Sequence, residues 1–380
     1  MKNFNPLSFL ASVGSGGIAV APFVYFQYIL PHGKGLITFN QVMEIANTTG
    51  SKFAFGLMMA IMVVFSLLHI VLTVSLVSKL IGFSKTKEYK SYISDPQRNT
   101  SILAMYTSLG MTFNVFIGVI RFFTPALQSN FQALMLPALI MWSILWLFLM
   151  RSEIRILKSA FEKDFDLSKL SFGWLLHPFA LGMVTVAGTG IAAMANDPTI
   201  AHTAAFMTFT SGSMGLFLLF VKLVSIFKSH FGMNGMPERQ FLPSFLIVIP
   251  ITTLYAITFF RLGHYFEHQF GAHFDIYFKL VVAVPFAFQT WYFAFGISML
   301  KNYFKKDFFR KEYYVTLWAF ICPFVGYAVL GSFVHKLFIP SVGLQAVIMT
   351  SILTAIAFFV FVGMRYFKYT YPVSKTAIAK

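Results

Sequence analysis

Residues 12–22 read Ser-Val-Gly-Ser-Gly-Gly-Ile-Ala-Val-Ala-Pro, and no Asp, Glu, Lys or Arg occurs between residues 3 and 33. An uncharged run of this length can cross the roughly 30 Å of hydrocarbon in a bilayer. Gly and Pro are tolerated in such a span when neighbouring helices, hydroxyl groups or water satisfy the freed backbone groups. The stretch therefore indicates a transmembrane helix that is surrounded by protein or water rather than by lipid.

The composition of the whole chain agrees with a membrane protein. Of its 380 residues, 57% are hydrophobic and 11% are charged, whereas soluble domains average about 25% charged residues. The single cysteine, Cys322, excludes an intramolecular disulfide framework and a cysteine-rich metal site. The net charge of +16 arises from basic residues in short loops between apolar segments. Membrane topology explains that distribution better than nucleic-acid binding, so no nucleic-acid partner is expected.

Ten segments have the length and composition of membrane spans. Most of the Lys and Arg residues fall on one side of the resulting topology, which places both termini in the cytoplasm, and we expect an integral protein of a prokaryotic plasma membrane. The predicted spans are 6–30, 53–81, 100–122, 131–150, 172–195, 201–227, 242–262, 274–300, 312–335 and 341–366.

The odd-numbered spans are rich in Gly, Pro and hydroxyl residues, whereas the even-numbered spans are richer in Leu, Ile and Phe. We therefore predict one all-α transmembrane domain, residues 1–380, in which five bent odd helices form an inner ring around a central pore. An alternative stays open, since small residues also simply let helices pack closely. The predicted tandem hairpins are 6–81, 100–157, 172–228, 242–303 and 312–367, followed by a cytoplasmic tail, 368–380.

Three short motifs carry a family resemblance. They are Trp318-Ala319-Phe320-Ile321-Cys322-Pro323 with Gly326 in the ninth span, the Pro243-Ser244 start of the seventh span with its second proline at 250, and Asp95-Pro96-Gln97-Arg98 before the third span. With the hairpin layout, they resemble the family of plant slow-type anion channels, bacterial tellurite-resistance proteins, and fungal malate and sulfite transporters.

The resemblance implies an anion channel or transporter, a homotrimer with one pore per subunit, and an aromatic plug just before the ninth-span proline. Here that plug position is Cys322. The plug is therefore absent or moved, to Phe320 or Phe324.

Carboxylates are scarce in the predicted spans, and we assign Glu153 to a cytoplasmic loop. Intramembrane carboxylates usually form cation sites and proton relays, so their scarcity argues against a cation pump or a sodium-coupled carrier. A pore lined by hydroxyls, backbone dipoles and aromatic edges can instead pass anions without holding them tightly. The expected substrates are small anions of the chloride, nitrate, sulfite, thiosulfate or C4-dicarboxylate class.

The candidate site residues follow from this interpretation. The constriction is assigned to Phe320, Cys322, Pro323 and Phe324. The pore-lining candidates are Ser12, Ser15, Gly16, Asn114, Thr185, Gly188, Thr189, Pro250, Thr252, Thr253 and Gly326. Arg121 and Arg261 are candidates for a positive outer vestibule, although ordinary snorkelling to headgroups is the favoured explanation for either residue taken alone. His177 and His335 are candidate pH sensors, with a neutral hydrogen-bonded histidine as the alternative.

Three other functions stay open at this point. One is a proton-coupled exporter of sulfur oxyanions or dicarboxylates on the same fold. A membrane-embedded enzyme is another, but His264, His268 and His273 form no strict ligand motif. We therefore expect no catalytic residue, metal or cofactor. A sensor or scaffold, with closed inner helices, is the third.

Overall fold

The computed structural model describes residues 4–163, 170–231, 237–310 and 312–370, and the regular secondary structure within these ranges is helical. Ten helices in these ranges are long and apolar enough to cross a membrane. Residues 371–380 of the predicted tail lie outside the described ranges, and 368–370 belong to the last helix. The ten helices, α1 to α10, are Pro6–Ile29, Thr49–Ser84, Asn99–Phe123, Phe131–Glu162, Phe172–Met194, Pro198–Phe231, Arg239–Phe270, Asp275–Lys306, Val315–Leu337 and Val342–Thr370.

The odd-numbered helices form the inside of the bundle and the even-numbered helices form its outside. Of the most apolar part of each helix, 61–100% is buried in the odd helices and 28–39% in the even helices. The outer faces carry exposed side chains such as Phe53, Phe206 and Leu280, which suit contact with lipid. The predicted division into an inner ring and an outer ring is confirmed.

All five inner helices begin in the same way. Each opens with a tight 3-10 segment before the α-helix proper, at Pro6–Ser8, Asn99–Ile102, Phe172–Leu175, Arg239–Ile247 and Val315–Phe320. A 3-10 turn changes the hydrogen-bond register of the helix and slightly bends its path. This shared feature supports the repeated helix pair that the sequence indicates.

Side chains of the outer helices donate hydrogen bonds to backbone carbonyls of the inner helices. Trp142 Nε1 on α4 donates to the Val184 carbonyl on α5 at 2.8 Å. Gln289 Nε2 on α8 donates to the Ile249 carbonyl on α7 at 2.9 Å, immediately before Pro250. A carbonyl oxygen has two lone pairs, so it can accept such a bond in addition to the one from its own helix. The outer ring therefore supplies hydrogen bonds as well as a surface for lipid.

The assignment of Glu153 to a loop is wrong, and a second charged residue, Lys222 in the predicted sixth span, also lies inside a helix. Both residues are fully buried, Glu153 in α4 and Lys222 in α6. The α4 helix continues to Glu162, well past the apolar segment that hydropathy detects. Glu153 follows Leu149 by one helical turn on the face that packs against α5, so helical spacing could have identified it.

Gly188 on α5 tests how tightly the two rings pack. A Cβ at this position would overlap the indole of Trp142 and the methyl group of Thr208, both on outer helices. Because Trp142 is fully buried and hydrogen-bonded, its ring has little room to move. We expect Gly188→Ala to destabilise the protein by about 1–3 kcal/mol through overpacking, measured as a lower thermal unfolding midpoint in detergent.

The matched control is Gly343→Ala at the start of α10. Nothing lies within 4 Å of a Cβ there, and alanine is the better helix former. The midpoint should hold or rise in this control. Equal stability of both variants would mean that α4 and α5 pack less closely than described.

Candidate functional site

A cavity of about 120 Å³ lies on the axis of the inner ring. All five inner helices contribute to its wall, and a volume of this size has room for several water molecules. The lining residues on the inner helices are Val13, Gly17, Val20, Phe23, Val24, Gln27 and Tyr28 from α1; Met111 and Asn114 from α3; Phe179, Met183 and Val186 from α5; Pro250, Thr253, Leu254, Ile257 and Arg261 from α7; and Cys322, Val325, Gly326, Val329 and Phe333 from α9.

The cavity occupies only part of the bundle's length. Its wall starts at Val13 in α1, Phe179 in α5 and Cys322 in α9, and it extends toward the C-terminal end of each inner helix. Since the inner helices run in the same direction, the cavity lies toward the predicted outer side. The other end of the cavity, toward the predicted cytoplasmic side, is its inner end and lies at the level of Val13, Phe179 and Cys322.

The wall is mostly apolar, with a few polar groups. Arg261 is the one charged side chain among the lining residues. Its Nη1 donates to the Val186 carbonyl at 2.7 Å, and no ion pair among the described residues includes it. Gln27, Tyr28, Asn114 and Thr253 add polar groups. The cavity thus contains a cation without a carboxylate partner, which makes its electrostatic potential positive.

Six of the residues named from the sequence line this cavity. They are Asn114, Pro250, Thr253, Arg261, Cys322 and Gly326. Thr253 Oγ1 donates to the Gly326 carbonyl at 2.9 Å and accepts from Gln289 at 2.7 Å, which ties α7, α8 and α9 together beside the wall. The structure therefore brings together a constriction candidate, a vestibule candidate and four lining candidates.

Other lining candidates point away from the cavity. Ser12 forms hydrogen bonds with His69 and Thr73 on α2 and with Ser108 on α3, at 2.5–3.0 Å. Ser15 donates to the Phe65 carbonyl on α2. A Cβ on Gly16 would overlap Met111 and His69. These α1 residues lie outside the cavity and join α1 to its neighbours.

The remaining α5 and α7 candidates also lie outside the lining. Thr185 Oγ1 is 2.7 Å from Ser211 Oγ on α6, Gly188 packs against Trp142, and Thr189 bonds to the carbonyl of its own helix three residues earlier. Thr252 bonds to the carbonyl four residues earlier in α7. Hydroxyls on an inner helix are therefore used mainly for contacts between helices and for backbone bonds.

The aromatic residues proposed for the constriction have different surroundings. Phe320 is buried among Tyr303, Phe304, Phe308 and Phe358. Phe324 packs on Phe293 and Phe358. Neither ring lines the cavity, and neither does the ring of Pro323. Of the four constriction candidates, only Cys322 faces it.

Arg121 has a structural position outside the cavity. Its guanidinium donates to the Leu36 and Ile37 carbonyls at 2.8 and 3.3 Å, which fastens the α1–α2 connection to the end of α3. His335 shares a hydrogen bond with Gln345 at 3.0 Å near the C-terminal end of α9. His177 is buried in a separate polar cluster that also lies outside the lining.

The candidates named from the sequence omit most of the wall, because most lining residues are apolar and the polar residues near the end of α1 were not among the candidates. The missed residues include Gln27, Tyr28 and Phe179. A signal exists in α1, where Val13, Gly17, Val20, Val24 and Gln27 repeat at alternating spacings of four and three and so share one face. In a helix buried on all sides, that spacing does not reveal which face is open.

The ten spans of the described residues, with five inner helices around an axial cavity, define a polytopic membrane protein of the kind that moves solutes. A family model described as voltage-dependent anion channel matches residues 3–365. The chain belongs to this family of anion channels and transporters, as the resemblance indicated. Comparisons with curated proteins and with solved structures gave no match.

Cys322 offers a direct test of access to the cavity because it is the chain's single cysteine. Its thiol lines the inner end of the cavity. We expect a small anionic methanethiosulfonate reagent, added on the predicted outer side, to modify Cys322 in membranes. Mass spectrometry of the intact protein measures this directly.

Cys322→Ser is the matched control and should show no modification. If the native thiol also stayed unmodified while the denatured protein reacted, the cavity would be sealed from that side.

Proposed function

We propose that the protein is a passive channel for small monovalent anions, and that they pass along the central cavity. The observation that carries this proposal is the single unpaired guanidinium, Arg261, in a wall built by all five inner helices. A cation with apolar surroundings raises the local concentration of anions more than the same cation in water would.

The balance of charge and hydration favours monovalent anions over dianions. One guanidinium offsets one negative charge, and the rest of the wall is mostly apolar. A second negative charge would lose its hydration without a partner, and burying an unpaired charge is costly. Chloride and nitrate therefore fit the wall better than sulfite, thiosulfate or a C4-dicarboxylate. Several weak contacts in sequence also suit conduction, which requires that an ion can leave as well as enter.

We assign the gate to the inner end of the cavity, at the level of Phe179 and Cys322. Phe179 is the aromatic side chain that the wall offers at this level, and it extends from α5 rather than from α9. In this proposal, Phe179 replaces the plug that the family resemblance placed just before the ninth-span proline.

The remaining assignments follow from sequence and family. We propose that both termini are cytoplasmic, that the membrane is a prokaryotic plasma membrane and that the assembly is a homotrimer. With this orientation the cavity faces the outside of the cell, and the gate closes it from the cytoplasm.

The decisive experiment measures anion flux in liposomes that contain the purified protein. We expect chloride and nitrate to pass faster than sulfite, thiosulfate and malate. Arg261→Gln should lower the chloride flux by at least about tenfold, which corresponds to losing roughly 1.4 kcal/mol of stabilisation along the path.

Lys336→Gln is the matched control, since Lys336 is an exposed cation near the same end of the bundle. Its flux should stay near that of the unmodified protein. Equal losses in both variants would indicate a general surface-charge effect, and no loss in either would contradict conduction past Arg261.

A larger side chain at the gate should block it. Cys322→Phe puts a ring into the inner end of the cavity, so we expect the chloride flux to fall by at least about tenfold. Cys322→Ala keeps the space open and should conduct like the unmodified protein. Unchanged flux in Cys322→Phe, in protein that retains its thermal stability, would show that the gate lies at another level.

A further inference from the structure

Three ionisable side chains from three consecutive helices meet inside the bundle, away from the cavity. They are Glu153 on α4, His177 on α5 and Lys222 on α6, and their exposed fractions are 0%, 1% and 2%. Charged residues are rarely buried unless they are paired. Such a cluster is costly in a membrane protein and points to a function.

The contacts in this cluster leave part of its hydrogen-bonding capacity unused. His177 Nδ1 lies 2.5 Å from Glu153 Oε2. Among the described residues, Glu153 Oε1 and Lys222 Nζ have no hydrogen-bond partner. Lys222 Nζ instead lies 3.4 Å from the centre of the Trp174 ring, a cation–π contact. The other imidazole nitrogen of His177 is 3.5 Å from Thr100 Oγ1, which is at most a weak hydrogen bond.

The neighbouring helices add few other ionisable groups. Tyr106 on α3 and Tyr255 on α7 interact electrostatically with Glu153. The Tyr106 hydroxyl is hydrogen-bonded to Ser152, and the Tyr255 hydroxyl donates to the Pro178 carbonyl. Arg151 on α4 interacts electrostatically with Tyr106. The charge of the cluster is therefore set mainly by its own three members.

The state of the cluster changes with one proton. With one proton shared between Glu153 and Lys222, on either side chain, and with His177 neutral, its net charge is zero. A proton from the solvent that binds to the His177–Glu153 pair raises the net charge to +1. A buried charge without a partner is unfavourable, so the protonated cluster should favour a conformation in which water reaches it.

The cluster is directly connected to the inner end of the cavity. His177 is followed by Pro178 and then by Phe179, the gate residue of the proposed function. Tyr255, on the helix that also carries Arg261, holds the Pro178 carbonyl at 3.1 Å. A shift of His177 toward water would therefore move Phe179, two residues later on the same helix.

We propose that Glu153, His177 and Lys222 form a proton-binding site, and that proton binding there favours the open gate. The site itself stands on the cluster geometry, while the link to opening rests on the proposed function. The protein would then conduct anions faster in acid.

The first test measures chloride flux in liposomes between about pH 5 and 8, a range into which burial can bring the coupled titration of a carboxyl and imidazole pair. The flux of the unmodified protein should rise on acidification by roughly 5-fold or more, the lower end of ordinary coupling between two sites. Glu153→Gln should remove this rise. His335→Gln is the control, because His335 is the other candidate sensor and lies in a different part of the bundle; it should keep the rise.

Glu153→Gln alone leaves the buried Lys222 without a nearby carboxylate, which could destabilise the protein. A double variant avoids this problem. Glu153→Gln combined with Lys222→Met removes both charges, a replacement that buried ion pairs often tolerate. It should conduct with no dependence on pH. A pH response that survives in the double variant, that disappears in His335→Gln, or that runs toward lower flux in acid would overturn the proposed regulation.

The second test observes the proton without relying on flux. Infrared difference spectra of the purified protein at the two ends of the same pH range should contain a carboxyl band that is lost in Glu153→Gln and kept in His335→Gln. Absence of a Glu153-dependent band would refute the proton site, whatever the flux shows. The band together with a protein that moves no anion would contradict the proposed function and leave the site itself supported.

Discussion

The structure depends on how backbone carbonyls of the inner helices are satisfied in a membrane. Hydrocarbon offers no water to bond with polar groups, so hydrogen bonds between the helices have to come from the protein itself. The carbonyls of Val184 and Ile249 accept hydrogen bonds from Trp142 and Gln289 on the outer helices, and the Val186 carbonyl accepts one from Arg261. These side-chain donors hold the outer helices and Arg261 against the backbone of the inner helices.

On α1 and α5, most of the small and hydroxyl residues lie on a different surface from the residues that line the cavity. Small and hydroxyl residues such as Gly188, Ser12 and Thr185 face neighbouring helices, where they permit close contact or form hydrogen bonds. Apolar residues such as Val13 and Met183 face the cavity. The polar groups of α1 and α5 therefore hold the rings together more than they line the path. The positive potential of the cavity comes chiefly from one residue, Arg261.

The cluster of Glu153, His177 and Lys222 departs from this rule, since it buries three ionisable groups where apolar packing would be more stable. Its hydrogen bond joins α4 to α5. Lys222 of α6 lies over the Trp174 ring of α5 and interacts electrostatically with both other members. The cluster and the cavity wall meet on α5, at His177 and Phe179. The same short segment therefore belongs to both the anion path and the proton site.

The sequence alone determined the ten spans, their division into inner and outer helices, and the family. These features depend on local composition: the length of an apolar run, and the Gly and Pro content that only a protected helix can tolerate. Only the tertiary structure decided which face of each inner helix borders the cavity. An inner helix is buried all round, so its hydrophobic pattern has no polar side to mark a direction. It also decided that Glu153 bonds to His177 and interacts electrostatically with Lys222, because their proximity depends on how three helices pack and not on the spacing of the residues along the chain.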